Sequence, residues 1–240
     1  MSPERGHIRP ALEVEGVYKY YGDFAALRDI KFQVERGSTV ALLGRNGAGK
    51  TTLLRIIAGL SKPSEGAVRI LGSNARDVAA RRRIGVLGHG ISLYEELSAA
   101  ENLTIFARLY GLEQPARAAS AWLERIGLDR VRDGLVREFS RGMRQRLAVA
   151  RAFIHDPDVL LFDEPFTALD DRAIAVLQGL LADAHRKGRT IIMSTHQLKE
   201  ALVLATDVAL MRRGEIAYAG ARTQQMIDDA GWLYRTYEDQ

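Results

Sequence analysis

The chain has no cysteine. That excludes disulfides and thiolate metal sites, and agrees with a reducing compartment without requiring one. It has no run of the roughly 18 uninterrupted apolar residues that a membrane-spanning helix needs. The best candidate, Ala201 to Met211, is short and contains Asp207. The N-terminus carries charges and no apolar core, so no signal peptide is expected. Work at a membrane would then need another subunit to do the crossing. Low-complexity stretches and internal repeats are also missing. The one tight basic run, Arg81-Arg82-Arg83, suits either a solvated helix end or a small binding patch. A net charge of +4 and a pI near 9.4 permit contact with nucleic acid or an anionic membrane face, and argue for neither.

What is present is ordinary in bulk and specific in detail. The 240 residues are 47% hydrophobic and 27% charged, as in a globular protein of one compact domain or two intimately packed lobes. The informative stretch is Gly44-Arg45-Asn46-Gly47-Ala48-Gly49-Lys50-Thr51-Thr52. Its spacing matches the phosphate-binding loop, and its context fits. Thr39-Val40-Ala41-Leu42-Leu43 before it reads as a buried strand, and Thr52 to Ala58 after it has apolar residues at helical spacing. A Gly-rich turn between strand and helix points successive N–H groups into one concavity, at the positive end of the helix dipole. Lys50 then reaches the outer phosphates, and the Thr51 hydroxyl suits Mg²⁺.

Three regions follow along the chain. Up to about 87 the pattern is strand-rich: Leu12 and Val14 alternate with acidic residues, and Ile30, Phe32 and Val34 with polar ones. From about 88 to 138 it is helical. Ser98-Ala99-Ala100-Glu101 is a capping box opening a helix that Gly111 stops, and a second helix runs from near Pro115 to Gly127. Beyond that, Val159 to Phe162 and Ile191 to Ser194 read as buried strands separated by a helix over 171–187, which implies a parallel crossover. The expectation is a single domain, 1–240, with an α/β core over 11–87 and 156–220, an inserted helical subdomain over 88–155, and a tail from 221 ending in a short helix.

Asp163-Glu164 closes the first of those two strands. Such a pair also occurs at surface turns. Here it lies downstream of a phosphate loop, and ends of parallel strands line ligand crevices. One carboxylate, Asp163, can hold the metal directly or through water. The next, Glu164, can act as general base. Two groups are needed because a carboxylate tied to Mg²⁺ is a poor base. His196 follows the second strand. A histidine there also serves as a buried structural group, but in a phosphate site it can contact the outer phosphate and orient water.

With these residues in order, the chain resembles, over nearly its full length, the ATP-binding subunit of ATP-binding-cassette (ABC) transporters. Phe139-Ser140-Arg141-Gly142-Met143, continued by Gln145-Arg146 and Ala150-Arg151, resembles the motif that sets the family apart. Ala168-Leu169-Asp170 looks like its D-loop, Thr195-His196 like its switch histidine, and Tyr21 sits where the family stacks an aromatic ring on adenine. The resemblance implies an ATPase with ATP and Mg²⁺, on a phosphate-loop core of mostly parallel sheet with flanking helices, an N-terminal antiparallel β region and the helical insert. Two copies would face head to tail, each ATP lying between the phosphate loop of one and Ser140 and Gly142 of the other. It also implies an integral membrane permease as partner, a peripheral place at the cytoplasmic membrane face, and no nucleic acid.

Two departures from the family pattern stand out. Arg141 and Met143 replace Gly and Gln in the signature, although Ser140 can still cap the following helix. His89 stands where the family has the Gln that senses magnesium and meets the membrane subunit. As a neutral imidazole it can bind water or Mg²⁺; as imidazolium it cannot. Leu87-Gly88-His89, Thr195-His196-Gln197 and Glu164 to Asp170 resemble the haem exporter's ATP-binding subunit of cytochrome c maturation. Drug, antibiotic and polysaccharide exporters share parts of these segments. Soluble relatives in repair or translation fit less well. Repair ATPases insert coiled coils or zinc modules between the nucleotide motifs, and translation ATPases usually carry two cassettes, whereas this chain has a single one.

Overall fold

The computed structural model describes residues 10–88, 92–167, 169–229 and 231–237. The N-terminal third begins with strands β1 (Leu12–Tyr21), β2 (Phe24–Val34) and β3 (Thr39–Leu43), helix α1 (Lys50–Ile57), strands β4 (Glu65–Ile70) and β5 (Ser73–Asn74), helix α2 (Val78–Arg81) and strand β6 (Ile84–Leu87). Helices α3 (Ala99–Leu109), α4 (Pro115–Arg125) and α5 (Arg141–Phe153) follow. The chain then alternates: β7 (Val159–Asp163), α6 (Asp171–Arg186), β8 (Thr190–Ser194), α7 (Leu198–Leu204), β9 (Asp207–Arg212), β10 (Glu215–Ala221), α8 (Gln224–Asp228) and α9 (Trp232–Tyr237).

Two sheets result. A four-stranded antiparallel sheet has the order β2-β1-β4-β5. A six-stranded sheet has the order β10-β9-β3-β8-β7-β6, parallel throughout except for β10, which returns antiparallel on β9. The central strands β3, β7 and β8 are buried along their whole length. Their near-continuous apolar sequences follow from that, since a parallel sheet is covered on both faces.

Alternate residues of those strands feed two separate cores. Ala41, Leu43, Leu160, Phe162, Ile191 and Met193 point into one, with the buried faces of α3 to α7. Val40, Leu42, Val159, Leu161 and Ile192 point into the other, beneath α1 and the antiparallel sheet. Phe162, fully buried, contributes about 1.5–3 kcal/mol by leaving water.

Local signals act as the residues dictate. Ser98 caps α3: its Oγ accepts from the Glu101 amide at 3.2 Å while Glu101 accepts from the Ser98 amide at 2.8 Å. The Ser98 backbone N–H, and after it the Ser98 hydroxyl, hold the Glu101 carboxyl below its ordinary pKa. Pro115 starts α4, where its missing N–H costs nothing. Arg81 to Arg83 are exposed at the end of α2, and Arg83 pairs with Asp158 at 2.7 Å. The apolar stretch Ala201 to Met211 is not one element: it divides at Ala205 between α7 and β9. The tail also differs from the single short helix expected, since β10 runs to Ala221 and two helices follow it. No described helix is long and apolar enough to cross a membrane.

Candidate active site

The register of the parallel strands aligns the site. Leu42 of β3 pairs with Ser194 of β8, and Ser194 pairs with Asp163 of β7. The three chains therefore leave the sheet side by side, delivering the Gly44–Thr51 loop, Asp163-Glu164 and Thr195-His196 to one edge. Such carboxyl ends of parallel strands form the ligand crevice of open α/β sheets.

The loop can turn only because of its glycines. Gly44 has φ 143° and Gly49 φ 105°. A Cβ at Gly44 would lie 2.4 Å from the Met211 carbonyl oxygen, and one at Gly49 2.9 Å from that of Ala26. Lys50 is buried at the start of α1, and its Nζ donates to the carbonyls of Gly44 at 2.6 Å and Arg45 at 3.2 Å. An open groove over the loop is lined by Tyr21, Phe24, Asn46, Lys50, Thr51 and Glu164, among others. Tyr21 is 54% exposed and Phe24 65%, so two aromatic rings face solvent at its rim, with the Lys19 Nζ 5.1 Å from the Tyr21 ring centroid. The sequence pattern singled out Tyr21 and missed Phe24, its partner across the β1–β2 turn.

Asp163 is buried, and its Oδ1 accepts from the Ser194 hydroxyl at 2.5 Å. It also lines a second cavity together with Thr51, Leu87 and Gly88. One hydroxyl and one carboxylate fit Mg²⁺, which keeps several waters and binds through one or two carboxylates plus substrate phosphates. They do not make an all-protein cage, and the described residues hold no cluster of three or more His, Asp or Glu suited to a metal.

Glu164 is in the left-handed region, φ 56°, at a cost of about 1–3 kcal/mol for a residue with a side chain. Its amide donates to the Ser194 carbonyl at 3.0 Å, which fixes the turn. The turn aims its carboxylate at His196: Nδ1 donates to Oε2 at 2.7 Å, and the His196 amide to the same oxygen at 3.3 Å. The imidazole is therefore not a buried structural group; its side chain is 60% exposed.

The other expected residues lie elsewhere. Ser140 caps α5, accepting from the Met143 amide at 3.2 Å; it is exposed, and neither it nor Gly142 lines the groove. Asp170 caps α6, accepting from the Ala173 amide at 2.8 Å. His89 and Ala168 lie outside the described residues. Two residues that continue the signature motif serve as anchors, a role the sequence pattern did not assign to them. Buried Gln145, on α5, donates to the carbonyl of Pro165, next to Glu164, at 3.1 Å. Arg151 donates to the carbonyls of Val86 at 2.9 Å and Ser92 at 3.2 Å, on either side of the His89 loop. Burial pushes its pKa down from the usual arginine value.

The family profile described as "ABC transporter" matches residues 27–167. The ABC transporter ATP-binding protein NatA of Bacillus subtilis (strain 168) is 42% identical over 82% of this chain and 82% of its own. The Nod factor export ATP-binding protein I of Cupriavidus pinatubonensis is 39% identical over 90% of this chain and 68% of its own. A solved dimeric ATP-binding cassette in a post-hydrolysis state, bound to ADP and Pi, superposes with a TM-score of 0.82 at 26% identity, over 88% of this chain and 99% of that one. The chain belongs to the ABC transporter family, as an ATP-binding cassette that hydrolyses ATP.

Proposed function

We propose that this cassette is the motor of an exporter, working as a head-to-tail pair at the cytoplasmic face of a membrane and driving an integral permease subunit. The carrying observation is the convergence of Lys50, Thr51, Asp163, Glu164 and His196 at one edge of the central sheet. ATP lies in the groove with adenine against Tyr21 and its phosphates on the N–H groups of Asn46 to Thr52. Lys50 exchanges its two loop carbonyls for phosphate oxygens. Thr51 and Asp163 would hold Mg²⁺, and His89 is the further residue proposed for it from its place in the sequence. When bound, Mg²⁺ supplies neutralisation of phosphate charge. Both contacts from His196 fall on Oε2 of Glu164, so Oε1 is the oxygen that takes the proton from water. Ser140 and Gly142, on the positive end of α5, close over the γ-phosphate of the partner copy, and Asp170 borders the same interface. The α/β core, 11–87 and 156–220, holds nucleotide. The helical part, 88–155, passes its closure to the permease through the loop around His89, and the tail from 221 packs beside the core.

Dimerisation is supported by the dimeric cassette of the same fold, and export by the name of the Nod factor relative. Neither relative is named for haem, so the haem-exporter resemblance gains no support and haem is not proposed as cargo. Drug, antibiotic and polysaccharide cargoes stay within the export reading, and the transporter family match disfavours a repair or translation role.

Glu164→Gln tests the chemistry. The amide cannot take a proton, so turnover is expected to fall on the order of 10²–10⁴-fold while ATP binding persists. Size exclusion with ATP should show a trapped dimer. Turnover near that of the unmodified protein would remove Glu164 from the base role. Copurification of a membrane subunit from the native cell tests the partner.

A further inference from the structure

Gly44 is the first residue of the phosphate loop and has no side chain with which to be held. Its position depends on its backbone groups. The carbonyl accepts from Lys50 Nζ at 2.6 Å. The amide donates to the hydroxyl of Tyr234, 190 positions later, at 3.2 Å. Tyr234 sits on α9, which is itself anchored twice. Leu233 is buried in the core beneath it, and Arg212, at the end of β9, donates to the Tyr237 carbonyl at 2.9 Å. Tyr237 packs in turn on Tyr218 of β10, with ring centroids 5.0 Å apart. The C-terminal helix is therefore fastened to the central sheet on one side and to the entrance of the phosphate loop on the other.

The geometry points to Tyr234 as a positioning residue for ATP binding: its hydroxyl pins the Gly44 amide and so fixes the carbonyl that Lys50 must leave when phosphate arrives. Binding asks Lys50 to exchange carbonyl oxygens for phosphate oxygens. A loop already held in its bound shape loses little freedom in that exchange, and what is not lost appears as affinity. Without the hydroxyl, the Gly44 amide lacks this acceptor and the first turn of the loop gains freedom. This role rests on ATP occupying the groove above the loop, and it extends that occupancy to a segment outside every nucleotide motif.

Tyr234→Phe keeps the ring and removes the bond. In a titration of the purified full chain with a fluorescent ATP analogue, Kd is expected to rise about 2- to 12-fold, the usual net worth of one hydrogen bond. KM for ATP should rise with it while kcat at saturating ATP stays within about twofold, because Tyr234 touches no reacting atom. Amide exchange at Gly44 should quicken. Leu233→Ala is the comparison: it loosens the same helix and keeps the hydroxyl, so it should lower the melting temperature more and weaken binding less. An unchanged Kd in Tyr234→Phe overturns the assignment. Equal weakening in Leu233→Ala also overturns it, because the helix would then act by packing alone. If the unmodified protein bound no nucleotide in the same titration, the fault would lie with the ATP site and not with Tyr234.

Discussion

Replacing Ser194 by alanine isolates the support beneath Asp163, the carboxylate proposed to hold Mg²⁺. Ser194 is fully buried, and its hydroxyl donates to Asp163 Oδ1 at 2.5 Å. The Glu164 amide reaches the same hydroxyl oxygen at only 3.3 Å, and it keeps the Ser194 carbonyl at 3.0 Å when that oxygen is gone. The larger loss therefore falls on Asp163. Asp163 is only 6% exposed, so water replaces the missing donor poorly. A hydrogen bond to a charged group is worth about 1.5–3 kcal/mol, and the missing oxygen leaves little cavity. For a chain of this size each kcal/mol shifts the melting temperature by about 2–4 °C, so Ser194→Ala should melt roughly 3–12 °C lower without nucleotide. Circular dichroism measures it. The carboxylate, no longer oriented, should also need more Mg²⁺ for half-maximal hydrolysis at saturating ATP. A drop under about 1 °C with an unchanged Mg²⁺ requirement would refute the reasoning. Asp163 would then be adequately solvated, and the serine merely adjacent.

Two further outcomes are expected. His155 stacks on Tyr110 with centroids 3.6 Å apart, its Nε2 donates to the Ile84 carbonyl, and its buried Nδ1 has no hydrogen-bond partner among the described residues. Burial lowers its pKa to about 4 from the ordinary histidine value of about 6.5, so the unfolded chain takes up the proton first as pH falls. Stability contributed by the neutral ring is complete above pH 6.5 and lost as pH falls toward 4, by about 3 kcal/mol in all. Urea unfolding across that range should show His155→Phe losing less stability than the parent; parallel curves would exclude His155 as the cause. At the groove, Tyr21→Ala should weaken ATP and ADP alike by about 1–3 kcal/mol, as expected for a stacked base, with a smaller effect from Phe24→Ala. Fluorescent-nucleotide titration decides between the rings, and a larger loss from Phe24→Ala would move the adenine to it.

Much of the site was legible because its signals are local. The phosphate loop lies between a buried strand and a helix that adjoin it in sequence, and Ser98 and Glu101 bond across three positions. What escaped is contact over distance. Ser194 meets Asp163 across 31 positions, and Tyr234 meets Gly44 across 190. No spacing in the sequence announces either. Ala201 to Met211 was undivided in the sequence for another reason: a short apolar run does not by itself separate helix from strand, and here it spans the end of α7 and most of β9. The β9–β10 hairpin turns through Arg213 and Gly214, at φ 49° and 86°. Asparagine or aspartate before glycine would have marked that turn, and arginine does not.

The two cores fed by alternate residues of β7 restrict how this family member can drift. Deleting or inserting one residue between Val159 and Phe162 would invert every side chain beyond it, sending Phe162 toward α1 and Leu161 toward the helices. Asp163 would turn away from Ser194 in the same stroke, so folding and metal binding would fail together. Change of length is left to the connections. β7 itself admits substitution alone.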